Sequence, residues 1–108
     1  TLIGNTDMHG GNLSFMSEHG RPYHVAPAYD MTPMAFAPSS SGKLSEIIPT
    51  ATLHASVSND HWRAALDLGQ RYLCTLQKSH LFSSDFAHCI SALAIHMENA
   101  ATQIARLA

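Results

Sequence analysis

"NTDMHGGN", residues Asn5–Asn12, packs an acid, an imidazole, two glycines and two amides into eight positions, one residue beyond the apolar pair Leu2–Ile3. The run has neither the alternation of a strand nor the 3.6-residue period of a helix, so it reads as a loop. Gly10 and Gly11 let the backbone turn tightly, so that Asp7 and Asn12 can face one point. Downstream, Leu13–Met16 and Tyr23–Ala26 are short strand-like runs separated by "SEHGRP", which carries turn chemistry. They predict a small β-hairpin. A second acid, Asp30, follows in "APAYDM".

Two carboxylates and an amide in this order suit phosphoryl transfer. That chemistry needs a carboxylate to orient and deprotonate an attacking hydroxyl. It also needs an amide oxygen and a second carboxylate to hold Mg²⁺ against phosphates. Protein kinases place these groups as Asp-x-x-x-x-Asn, followed by an Asp beyond a short hairpin. Asp7, Asn12 and Asp30 reproduce the order, and Asp7 to Asn12 reproduces the spacing. Hard oxygen ligands suit Mg²⁺, which keeps several waters and needs few protein groups. A plainer reading of the same residues is an Asx-rich turn, with Asp7 capping and Asn12 at positive φ. A metal site built from His9, His19 and His24 is a third, but no H-E-x-x-H or cysteine pair supports it.

Working outward, the chain has 108 residues, enough for one domain or part of one. It is 45% hydrophobic and 13% charged, the balance of a folded chain. A formal net charge of −2 argues against direct nucleic-acid binding, which normally shows a Lys/Arg excess. Two cysteines, Cys74 and Cys89, lie in helix-like runs and read as reduced, structural thiols of a cytoplasmic protein. No apolar stretch is long enough to span a membrane. No signal peptide is apparent. The opening on Thr1-Leu2-Ile3, without an initiator Met, suggests a C-terminal piece of something longer.

All five prolines and five of the six glycines precede Ser58, and the remainder of the chain reads as helix. Trp62, Ala65, Leu66, Gly69, Tyr72, Leu73 and Leu76 form one helical stripe, with Ser58, Asn59 or Asp60 as cap. A second helix is predicted from about Ser84 to Leu107, with Phe86, Ile90, Leu93, Met97, Ala101 and Ile104 on its inner face. The short linker 78–83 predicts antiparallel packing around a shared core. His80, His88 and His96 lie eight apart, too far for i, i+4 ligation, and read as surface or boundary residues. Residues 37–46, "APSSSGKLSE", read as a mobile surface loop near the cleft mouth, in the position of an activation or substrate segment. Pro49 argues against a central strand in "IIPTATLHASV".

"LIGNTDMHGGNLSFM" followed by "VAPAYDMTPM" resembles the C-terminal lobe of the HipA family, and within it the HipA-like YjjJ branch. These are bacterial serine/threonine kinase-like proteins, often toxins of toxin–antitoxin pairs. The resemblance implies a mainly α fold with a small β-hairpin, part of the C-terminal lobe of a protein-kinase-like fold. Residues 1–57 would hold the catalytic loop, hairpin and activation-type loop, and 58–108 a helical hairpin. It also implies roles. Asp7 resembles the catalytic base, and Asn12 and Asp30 the magnesium ligands. His9 falls where many kinases direct a lysine at the transferring phosphate, so it either touches that phosphate or braces the loop. Many HipA members carry Lys where this chain has Gly11. The cofactors implied are Mg²⁺ and ATP, with the nucleotide held mostly by an N-terminal lobe, since no glycine-rich phosphate loop occurs here. A protein substrate and an antitoxin are the implied partners. The alternative is a catalytically weakened lobe that serves as a protein-interaction module.

Overall fold

The computed structural model describes residues 1–107. It is mainly helical. The hairpin is β1 (Phe15–Met16) and β2 (His24–Val25), antiparallel, with Phe15 opposite Val25 and Met16 opposite His24. Two long helices come next, α1 (Asn59–Lys78) and α2 (Ala87–Ala105), with short 3₁₀ turns at Gly10–Asn12, Met34–Phe36 and Ser84–Phe86.

Helix α1 begins where Ser58 Oγ accepts from the His61 N–H, satisfying one of the otherwise free donors of the first turn. Asp60 lies in that first turn and Lys78 in the last, both matched to the helix dipole. The stripe Trp62, Ala65, Leu66, Gly69, Tyr72, Leu73 and Leu76 is the face withdrawn from solvent. The opposite face carries the ion pairs Arg63–Asp60 at 3.2 Å and Arg71–Asp67 at 3.1 Å, both exposed. Such pairs contribute little to stability.

Helix α2 supplies the core. Leu93, Met97, Ala100 and Ile104 are buried together with Leu2 and Ala51, and the α1 stripe packs against them. The helices are antiparallel: Arg63 near the start of α1 donates to the Leu107 carbonyl beyond the end of α2, at 3.2 Å. At mid-length the Met97 methyl comes so close to Gly69 that an added Cβ would stand 2.6 Å from it. Glycine at 69 thus sets the close approach of the two helices.

Three expectations need correction. The second helix is α-helical only from Ala87, because residues 84–86 form a 3₁₀ turn, and Ser83 makes no side-chain cap. Cys89 is buried but Cys74 is exposed, since Cys74 falls off the stripe that Leu73 and Leu76 define. His96 is not a surface residue: it is 1% exposed, and its ring meets the carbonyls of Pro49 and Thr1. Residues 47–57 form no strand. Residues 37–46 include a turn tied to itself, in which Ser39 N–H donates to Lys43 O and Gly42 N–H to Ser39 O, each at 2.8 Å. No helix among the described residues is long and apolar enough to cross a membrane.

Candidate catalytic site

The polar loop springs from the core at Leu2 and Gly4, both buried. Gly4 closes a turn by donating to Thr1 O at 3.0 Å, and its carbonyl accepts from Ala35 N–H at 2.9 Å. Its φ is +68°, and a Cβ there would stand 2.5 Å from Phe36 Cε2 and 3.2 Å from Ala35 Cβ. Left-handed backbone and lack of room both require glycine. Gly4→Ala is therefore expected to cost about 1–3 kcal/mol. Gly10→Ala, which meets nothing within 4 Å and lacks positive φ, should stay within about 0.5 kcal/mol. Urea titration of the two variants checks this.

Asn5 joins the loop to the segment around Asp30. Its Oδ1 accepts from Asp7 N–H at 3.0 Å, and its Nδ2 reaches the Asp30 carbonyl at 3.5 Å. The backbones at 7 and 30 are thus bridged by one side chain, while Asp7 itself is exposed.

His9 braces the turn. Its Nδ1 accepts from Gly11 N–H at 3.0 Å, and its own backbone N–H donates to Asn12 Oδ1 at 2.8 Å. The arrangement is a reciprocal cap on the 3₁₀ turn Gly10–Asn12. A Cβ at Gly11 would stand 2.8 Å from His9 Cε1 and 2.9 Å from Nδ1. A lysine at 11 would therefore require this imidazole to move.

Asn12 is the hub. It is 8% exposed, and because its oxygen takes the His9 N–H, its amide nitrogen faces Asp30 Oδ2, at 3.4 Å. Asp30 is the one described non-glycine residue at positive φ, at 55°. Positive φ was an alternative for Asn12, but that residue lies in the 3₁₀ turn, and the left-handed position falls on Asp30. An aspartate tolerates it better than most side chains. Tyr29 secures the approach: its hydroxyl donates to Gly11 O and lies 3.3 Å from Ser14 Oγ.

The structure thus brings Asn12 and Asp30 into contact and ties Asp7 to both through Asn5 and the His9 turn. Asn5 and Tyr29 were given no role from sequence, although Tyr29 adjoins Asp30 and Asn5 opens the polar run. His19 lies in the exposed hairpin turn and His24 on β2. Among the described residues, no three or more His, Cys, Asp or Glu side chains are arranged to hold a metal ion.

A family model described as the HipA-like C-terminal domain matches residues 1–106. The chain belongs to this HipA-like family. It is 35% identical over 107 residues to Toxin YjjJ of Escherichia coli (strain K12), a match covering 98% of this chain and 24% of that protein. The HipA-like chain thus spans about a quarter of the length of the curated relative it matches. No solved structure matches it. The match runs through the loop, the hairpin and both helices, so the helical half belongs to the HipA-like domain as fully as the polar loop does.

Proposed function

We propose that this chain is the C-terminal lobe of a HipA-like, toxin-type serine/threonine kinase of a protein-kinase-like fold, with its catalytic loop and magnesium ligands. Residues 1–57 would form the catalytic half and 58–108 the supporting helical hairpin. The observation that carries the reading is the buried Asn12 side chain bonded to Asp30 across the hairpin, with Asp7 five residues before it on the same loop.

In kind the residues fit Mg²⁺: Asn12 and Asp30 offer hard oxygens, and Asp30 is exposed. Because Asn12 Oδ1 takes the His9 N–H while its nitrogen faces Asp30, the amide would have to turn to offer its oxygen beside Asp30. When bound, Mg²⁺ neutralises charge on the phosphates of ATP. Asp7 orients the substrate hydroxyl and takes its proton as the oxygen bonds to the γ-phosphorus and the bond to ADP breaks. Asn12 and Asp30 would hold the metal. His9 keeps the turn in shape. The phosphate-cradling loop and lysine lie outside this chain, in the N-terminal lobe. A cytoplasmic setting, a protein substrate and an antitoxin partner belong to the same proposal.

A second reading, a weakened lobe that works as a protein-interaction module, draws on two observations. Gly11 stands where the resemblance implies a lysine in many HipA members, and the hairpin exposes Phe15, Met16, Tyr23 and Val25. Radioactive ATP separates the two. The full-length protein should transfer phosphate in an Asp7-dependent way, whereas the 108-residue chain alone should not, because positioning is most of the catalysis in this chemistry. Absence of transfer from the full-length protein would favour the second reading. Asp7-dependent transfer from the short chain would mean that the nucleotide site has been misplaced.

A further inference from the structure

His96 is a buried titratable group outside the proposed chemistry. Its two ring nitrogens lie 2.7 Å from Pro49 O and 3.0 Å from Thr1 O. A carbonyl can only accept, so a ring nitrogen that carries hydrogen donates to the oxygen it faces. Both distances are those of hydrogen bonds, and no buried side-chain N or O among the described residues lacks a partner.

The Phe36 ring packs T-shaped against the imidazole, with centroids 5.5 Å apart. Among the described residues His96 is in no ion pair with a carboxylate.

What this ring holds is specific. Thr1 O also receives the Gly4 N–H, and Gly4 O receives the Ala35 N–H. Asn5, next in the chain, bridges to Asp7 and Asp30. Phe36, one residue beyond Ala35, rests on the ring itself. Both arms of the candidate site, the loop of Asp7 and the segment after Asp30, are therefore tied to one polar side chain of α2, beside the apolar contacts of Leu2 and Phe36 with the core. We propose that His96 is a positioning residue: its imidazole, held between the carbonyls of Pro49 and Thr1, is the strut by which α2 holds these two arms in register. The catalytic part of this inference rests on the kinase reading; the strut itself does not.

The test uses the full-length protein with ¹⁵N-labelled histidine, the His96 signal being the one lost in His96→Gln. The ring should show an N–H that is slow to exchange. A ring with no protected N–H would overturn the proposal. Hydrogen exchange followed by mass spectrometry supplies the second readout. In His96→Leu, amides of residues 1–12 and 30–36 should exchange roughly tenfold to a hundredfold faster, as when a buried carbonyl is left without its donor. Those within α2 should not change. His96→Gln, which keeps an N–H donor, should recover part of the protection and remains informative if His96→Leu does not fold. Unchanged exchange in both variants would also overturn the proposal. If Asp7→Ala proves fully active while the His96 variants show the expected change in protection, the kinase reading fails and the strut stands.

Discussion

In the full-length protein, Asp7→Ala is expected to abolish phosphoryl transfer at every Mg²⁺ concentration, while Asp30→Ala regains part of its activity as Mg²⁺ rises. The two acids are assigned different work. Asp7 accepts the proton of the attacking hydroxyl, help that is typically worth about 10²–10⁴ in rate. No amount of metal replaces it. Asp30 holds the metal, so its loss weakens an affinity that mass action can restore in part. Asp7→Ala should leave the fold intact, because Asp7 is exposed and off the helix faces that form the core; Asp30→Ala also puts alanine at positive φ and removes the partner of the Asn12 amide, so a somewhat lower melting temperature is expected there. The measurement is transfer rate against Mg²⁺ concentration for both variants, with thermal melts as control. Equal rescue would make Asp7 a metal ligand instead of the base. Full activity in Asp7→Ala would remove the catalytic assignment altogether.

The largest effect on stability is expected at Leu93. It is 2% exposed and sits in the core between α2 and the stripe of α1. Leu93→Ala removes buried methyl groups and leaves a void that the helices, held at a fixed separation around Gly69, close only in part. The expected cost is about 2–5 kcal/mol. Leu68→Ala is the control, since Leu68 points away from that core and is 60% exposed, and it should cost within about 0.5 kcal/mol. Urea midpoints with unchanged slopes would establish the difference. Comparable loss in both variants would mean that α1 and α2 do not pack as described.

The helices were the most legible part of the chain. On α1 the apolar stripe read from Trp62 to Leu76 coincides with the shielded face, because periodicity is a local property and twenty residues repeat it often enough. On α2 the same reasoning found Leu93, Met97 and Ile104 but passed over Ala92, His96 and Ala100. Small residues carry little hydropathic signal. The burial of His96 depends on carbonyls 47 and 95 residues away in sequence. In the loop, Asp7, Asn12 and Asp30 were legible as an order of residues. Their convergence on one cleft was expected from that order, but the bond from the Asn12 amide nitrogen to Asp30 was not, because it depends on Tyr29 and on Asn5, whose partners lie across the hairpin. Asp30's left-handed backbone is likewise set by those tertiary ties.

The hairpin has a consequence for how relatives of this domain can be sought. Phe15 and Val25 are 65% and 63% exposed although they face each other across the ribbon. The base of the ribbon is closed by Ala26 N–H donating to Ser14 O at 2.8 Å. Below that clasp Tyr29 meets Gly11, and Asn12 meets Asp30. Nothing above it contributes to the core. Lengthening such a loop costs only about 0.6 kcal/mol for each doubling. The interval between Asn12 and Asp30 is therefore elastic, whereas the interval from Asp7 to Asn12 is rigid, being spanned by the His9 turn. A search pattern for this lineage should hold the first interval fixed and let the second float.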